Sequence, residues 1–287
     1  MVKKVIGQTA IWATLLVMYF PILIIIAFSF TVSKQIGDWQ GFSFDSFVAL
    51  FTGENSQQIG IALGNTLIIA LITTVCATLI GTAGAMGVYY AKKKTTKVLI
   101  EGVNQIPVVN AEIVIALSLT VMFVFVGSII FRGANIFSFW TLLAGHLVIT
   151  IPFVYLNVKP KLLQMDPSLY EAALDLGCSP TIALWKIVIP EILPGILSGA
   201  LIAFTLSLDD FVITVFTRGP GLLSGMASIE TLSTYVQAII KKDALPHELR
   251  PLTTIIFFMV VSIVIAVTAR RNYVSKHKHI HRKGAKA

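Results

Sequence analysis

The chain has 287 residues, of which 56% are hydrophobic and only 13% charged, a composition that excludes an ordinary soluble domain and points to a polytopic membrane protein. Its net charge of +8 does not require a nucleic-acid partner, because basic residues that fix membrane topology account for it.

A helix needs about 20 mainly apolar residues to cross a hydrocarbon core of roughly 30 Å. Six stretches meet that test, near Ala10 to Thr31, Ile59 to Ala91, Ile106 to Phe131, Ser138 to Val158, Ile192 to Thr217, and Pro251 to Ala269. The expected fold class is therefore an all-α polytopic membrane protein with six transmembrane helices over residues 10–269, flanked by residues 1–9 and a basic tail, 270–287. Lys3 and Lys4 precede the first apolar run, which is too long for a signal peptide and lacks a small-residue cleavage pattern, so it reads as a retained helix. The second run is long enough to tilt or to leave the bilayer.

Placing both ends inside leaves two basic residues before the first helix, four between the second and third, three between the fourth and fifth, and seven after the sixth. Six remain for the outer loops, so the pattern favours N-in and C-in. The tail, with Arg270, Arg271, Lys276, Lys278, Arg282, Lys283 and Lys286, reads as a solvated anchor beside lipid headgroups. His277, His279 and His281 alternate there and could offer imidazoles to a metal, but no acidic or Cys partner accompanies them, so a metal role is disfavoured. Cys76 and Cys178 belong to segments at different depths and read as packing residues.

Three acids fall within apolar stretches: Glu112 in the third, and Asp209 with Asp210 in the fifth. A charge at membrane depth costs at least about 2.5 kcal/mol, so each should face a cavity or a partner. Adjacent residues on a helix point about 100° apart, so Asp209 and Asp210 cannot face the same way and one is free for a structural task. Pro107 and Asn110 suggest a helix start near Glu112, where a carboxylate also suits the helix dipole. His146 in the fourth stretch is read first as a helix-to-helix hydrogen bonder and second as a pathway group. Trp39 and its loop form an outer cap and a surface for an external protein.

Between the fourth and fifth stretches lie some thirty residues too polar for insertion. Asp166-Pro167 and Ser179-Pro180 each pair a capping residue with Pro at the first helical position. Leu169, Ala172, Ala173 and Leu176 recur at helical spacing, Gly177 ends that helix, and Ala183, Leu184 and Ile187 continue an apolar face until Pro190 stops or bends it. The pattern predicts a helix-turn-helix at about 166–190. Chemistry alone would let it lie along the membrane interface.

Within it, Glu171, Ala172, Ala173, Gly177, Ile187 and Pro190 resemble the EAA motif of permease subunits in bacterial ABC importers, with Ile189 where Leu is usual. The resemblance implies the MetI-like type I permease fold, and a hairpin that couples to a separate ATP-binding cassette ATPase. No Gly-x-x-x-x-Gly-Lys-Ser/Thr loop occurs in the chain, so ATP would be bound by a partner and no cofactor or catalytic residue is expected here. A second permease completes the pathway in such importers. The pairs Gly60 with Gly64 and Gly195 with Gly199 serve packing within the chain as readily as between chains.

A narrower resemblance rests on Trp39-Gln40-Gly41-Phe42, Gly64-Asn65-Thr66-Leu67, the run Ala111 to Ala116, and Ser207-Leu208-Asp209-Asp210 with Gly219-Pro220. These look like the PotC-type permeases of spermidine/putrescine importers, from the first helix through the sixth. It implies that Glu112, Ser207, Asp209 and Asp210 line the substrate pathway, that a homologous PotB-type permease is the second subunit, and that a periplasmic or extracellular polyamine-binding protein delivers the cargo in a bacterial cell membrane. Asp is frequent in the family at the Glu112 position. Other cargo in the same class, such as ferric iron, thiamine or a small anion, stays open. An intramembrane enzyme using the two aspartates is disfavoured, because adjacent carboxylates on one helix diverge where a dyad must converge.

Overall fold

A computed structural model of the chain describes residues 2–31, 33, 37–130, 136–218, 229–241, 248–262 and 265. The basic tail with its three histidines, and Gly219-Pro220, lie outside the described residues. In chain order the helices are α1 (Val2–Phe28), α2 (Asp45–Thr52), α3 (Ser56–Tyr90), α4 (Lys94–Val109), α5 (Glu112–Ile130), α6 (Phe139–Gln164), α7 (Pro167–Asp175) and α8 (Pro180–Ala183). A π-helical turn, Leu184–Val188, follows, then α9 (Ile189–Asp209), α10 (Val212–Thr217), α11 (Leu232–Ile240) and α12 (Leu249–Ser262). The described residues contain one β-type pairing, an isolated bridge between Thr31 and Phe42.

Five helical segments are long and apolar enough to cross a bilayer: Gly7–Phe28, Ser56–Tyr90, Glu112–Ile130, Phe139–Gln164 and Pro180–Asp209. The sixth expected span corresponds to α12, a shorter apolar helix over its described residues. The second expected span forms one unbroken helix of 35 residues.

Two expected spans are divided. The stretch beginning at Ile106 is split because Ile106 to Val109 close α4, Asn110 turns the backbone out of helix at ψ 149°, and α5 starts afresh at Glu112. The stretch from Ile192 to Thr217 is broken at Asp210, whose backbone extends to ψ 130°. Its carboxylate oxygens accept from the Ile213 and Thr214 amides at 3.3 and 2.8 Å, so Asp210 caps α10 instead of continuing α9. Each break is only one or two polar residues long between apolar runs, so hydropathy averaged over a window joins the pieces.

The chain forms two compact units, Gly60–Ala238, and Met1–Ile59 with Ile239–Ala287. In the first, α6 and α9 pack along their length at glycines. A Cβ on Gly199 would stand 3.0 Å from the Val154 Cα, and one on Gly195 would stand 2.9 Å from the Asn157 carbonyl oxygen. Where lipid removes the hydrophobic drive between helices, such close approach supplies dispersion contact instead. The Gly195 and Gly199 pair thus packs within the chain, whereas among the described residues no neighbouring part of the chain lies within 4 Å of a Cβ at Gly60 or Gly64. A core of α3, α6 and α9 residues centres on Ala77, Val154, Val158 and Ile192. A second joins Ile115, Leu119 and Phe123 of α5 to Ile149 and Ile213.

Helix α4 was not expected. Its Glu101 pairs with Lys159 of α6 at 2.7 Å, while Val98, Leu99, Val103 and Val109 lie exposed. In the other unit, Phe30 stacks on Phe42 and meets Phe44 edge-on, and Trp39 lies edge-on to Phe28, so the Trp39 loop is a folded aromatic cluster. Buried Glu248 accepts from Asn55 Nδ2 at 3.0 Å, and Thr254 shares a 2.7 Å hydroxyl contact with Ser29.

Candidate functional site

Both helix breaks deliver acids to one place. Glu112 opens α5, Asp209 ends α9 and Asp210 bridges to α10, while α10 lies against α5 and α6. Thr120 of α5 donates to the Phe216 carbonyl at 2.9 Å, and Thr141 of α6 to the Thr217 carbonyl at 2.9 Å, which ties α10 to both neighbours. Gly145 makes room for it, since a Cβ there would stand 2.6 Å from Ile213 Cγ2.

The four residues expected along a pathway divide into two pairs. Glu112 and Asp209 are exposed on the chain, whereas Ser207 and Asp210 are 3% and 6% exposed. Asp210 is fully engaged: besides the two amides, its Oδ2 accepts from the Thr214 hydroxyl at 2.8 Å, and its carbonyl accepts from Ser233 Oγ at 2.8 Å. The divergence expected of adjacent aspartates therefore takes a definite form, with Asp210 inward as a cap and Asp209 outward. Glu112 lies within electrostatic range of both aspartates.

Like charges this close repel, and Asp209 adds to the negative end of the α9 dipole. A cation placed beside them would relieve both. Discontinuous helices whose ends converge are the arrangement by which membrane transporters present ion and substrate sites.

His146, two turns into α6, is 1% exposed and shows the helix-to-helix bonding expected of it. Nδ1 lies 2.8 Å from Ser207 Oγ, Nε2 3.0 Å from Thr214 Oγ1 and 3.6 Å from Asp210 Oδ2. Thr214 and Ser233 were missed from the sequence. Asp210 followed four residues later by Thr214 is the spacing that could have marked the cap.

Further along the chain, Arg218 donates to Thr234 Oγ1 at 2.9 Å, and Asn65 donates to the Glu230 carbonyl at 2.9 Å. Burial pushes the Glu230 carboxyl up, against the opposing attraction of Arg218.

The expected hairpin forms at α7 and α8. Asp166 Oδ1 accepts from the Ser168 amide at 3.0 Å, and Ser179 Oγ from the Ile182 amide at 3.4 Å. Gly177 has φ +85°. Its amide bonds to the Leu174 carbonyl at 2.9 Å, while the Cys178 amide bonds to the Ala173 carbonyl at 3.1 Å, the paired closure of a Schellman turn. The apolar face divides: Ala173 is buried, while Leu169, Ala172 and Leu176 are exposed, Leu176 at 86%. Trp185, 65% exposed, and Ile182 extend this bare surface, and Glu171 is exposed on the same short helix.

Pro190 does not stop the second helix. The amide of Ile189 bonds to the Leu184 carbonyl five residues back, so a π turn carries α8 into α9 and Pro190 lies in the first turn beyond it. Ile187 lies within that turn.

Comparison with known proteins agrees with this architecture. Residues 77–278 match the family model described as binding-protein-dependent transport system inner membrane component. The chain is 33% identical over 259 residues, 90% of each chain, to the spermidine/putrescine transport system permease protein PotC of Escherichia coli (strain K12). It is 30% identical to PotC of Haemophilus influenzae, covering 89% of this chain and 93% of that one. The putrescine transport system permease protein PotI of Escherichia coli (strain K12) is 31% identical, covering 71% of each. Among solved structures, a bacterial ABC transporter involved in import of the acidic polysaccharide alginate superposes with a TM-score of 0.65 at 17% identity, over 94% of this chain and 93% of that chain. An amino acid ABC transporter gives 0.54 at 16% identity, over 81% and 100%. With its apolar spans, its divided helices and these matches, the chain belongs to the binding-protein-dependent transport system inner membrane components, a family of multi-pass membrane transport permeases rather than enzymes.

Proposed function

We propose that this protein is a permease subunit of an ATP-driven polyamine importer. The observation that carries the reading is the exposed pair Glu112 and Asp209, presented where α5 begins and α9 ends. Their mutual repulsion is relieved by a cation, and a polyamine carries ammonium groups that carboxylates receive through charge-assisted hydrogen bonds. The polyamine permeases among its relatives support the same cargo.

A polycation held by every carboxylate at once would not leave, so Glu112 and Asp209 act as successive weak contacts. The partners are two ATPase subunits, a second permease of the PotB type, and an external polyamine-binding protein. The bare face of Leu169, Ala172, Leu176 and Trp185, with Glu171 beside it, docks in the ATPase, and the π turn carries its movement into α9. The membrane orientation is N-in and C-in, with the hairpin in the cytoplasm.

The test is uptake of labelled spermidine and putrescine into vesicles carrying the complete complex. ATP-dependent uptake, competed by unlabelled polyamines, is the expected result. Uptake independent of ATP, or none of either polyamine by an assembled complex that hydrolyses ATP, overturns the proposal.

A further inference from the structure

His146 belongs to neither exposed acid, yet it joins the two helices whose junction places one of them. Ser207 lies in the last turn of α9 and Thr214 in α10, so the imidazole spans the break from the side of α6. Its tautomer follows from counting protons. Asp210 Oδ2, 2.8 Å from Thr214 Oγ1, can only accept as a carboxylate, so the single hydroxyl proton of Thr214 goes to it. Thr214 Oγ1 then has only lone pairs for His146, and Nε2 carries the hydrogen. Nδ1 is left bare and accepts from the Ser207 hydroxyl. The chain Ser207 to His146 to Thr214 to Asp210 thus runs in one direction, donor to acceptor, with every member satisfied.

We infer that His146 is a positioning residue that sets substrate affinity, by clasping the α9 and α10 ends so that Asp209 is held at a fixed separation from Glu112. The inference rests on the polyamine-pathway reading above. The backbone at Asp210 is extended and has no helical hydrogen bonds of its own to hold the angle between α9 and α10. The clasp supplies that restraint from buried groups, and Asp209, one residue away, moves with it. In a low-dielectric site a shift of a carboxylate changes the attraction felt by a cation far more than it would in water. Ser207 and Asp210 accordingly act on cargo through geometry, and Glu112 and Asp209 by contact.

The experiment measures polyamine uptake by the complete complex in vesicles for wild type, His146→Leu, His146→Gln, Thr214→Val, Asp209→Asn, and the double variant His146→Leu with Asp209→Asn. The expected result is that His146→Leu and Thr214→Val raise KM by up to about tenfold, the scale of losing one buried hydrogen bond. His146→Gln, which keeps one donor and one acceptor, recovers most of that loss. The double variant has the KM of Asp209→Asn alone, because once the exposed charge is gone its position no longer matters.

Fully additive KM effects in the double variant, or a fall in maximal rate at unchanged KM in His146→Leu, overturn the inference and leave His146 a packing residue. If His146→Leu does not assemble, Thr214→Val and His146→Gln decide by the same KM criterion. A wild-type complex that hydrolyses ATP but transports no polyamine sinks the functional proposal instead, so the two failures are distinguishable.

Discussion

At the residue scale, two neighbouring aspartates of identical chemistry have different surroundings and should fail differently. Asp210 satisfies two backbone amides and a hydroxyl while nearly buried, so Asp210→Ala strands three donors. The expected cost is about 1–3 kcal/mol of stability, read as a lowered melting temperature of the purified complex. Asp210→Asn retains capping oxygen and should lose less. Asp209→Asn, at the exposed position, should leave the melting temperature within error and lower polyamine uptake; the reverse ranking would contradict the assignment of cap and contact. The divergence of the two side chains was legible from helix geometry. Which one turned inward was not, because that depends on Thr214, Ser233 and His146, residues brought there by three other parts of the chain. The polar role of His146 was legible because hydrocarbon penalises an unpartnered imidazole, whereas its Thr214 partner sits in α10, beyond a helix break that hydropathy does not resolve.

At the element scale, the hairpin was the most readable part of the chain, since caps and turns act through nearest neighbours in sequence. Asp166, Pro167, Gly177, Ser179 and Pro180 each do locally what their chemistry predicts. Gly177→Ala forces a Cβ into the left-handed region at about 1–2 kcal/mol. The expected outcome is faster amide exchange across α7 and weaker retention of the ATPase on purification, with Gly177→Asn closer to wild type. Asp166 gives a pH test. The Ser168 amide, and secondarily its hydroxyl, hold the Asp166 carboxyl below its ordinary range. A lowered folded value means the cap contributes above the unfolded pKa and is lost as pH falls through the lowered one, that is, below about pH 4. Amide exchange at Ser168 in wild type should therefore accelerate in that window relative to Asp166→Asn, and equal profiles would remove the carboxylate from the account. The breaks at Asn110 and Asp210 and the π turn were less legible. Hydropathy averages over about 19 residues and is blind to a gap of one or two, and a five-residue hydrogen-bond repeat has no composition of its own.

At the scale of the whole molecule, one helical path joins the exposed hairpin to the acids. From Pro180 it runs through α8, the π turn and α9 without leaving helix until Asp209, a continuous span of 30 residues. A force on Trp185 or Ile182 is therefore delivered along a rod to the junction held by His146, and Gly195 and Gly199 let that rod bear on the α6 backbone. The π turn matters here because it fixes the azimuth of α9 relative to α8. Deleting exposed Lys186 should convert the turn to α-helix and rotate one side against the other by about 100°. If the ATPase docks on the hairpin as proposed, its retention and ATP hydrolysis should persist. If Asp209 contacts the cargo as proposed, turning it away should drop polyamine uptake per ATP hydrolysed to background. Replacing Lys186 by Ala keeps the residue count and should transport normally, which separates the register of the turn from the charge of the side chain. If the deletion variant transports at the wild-type ratio, the path from hairpin to acids does not run through α9, and the contact of Tyr90 at the end of α3 with Tyr170 of α7, ring centroids 5.4 Å apart, becomes the route to examine.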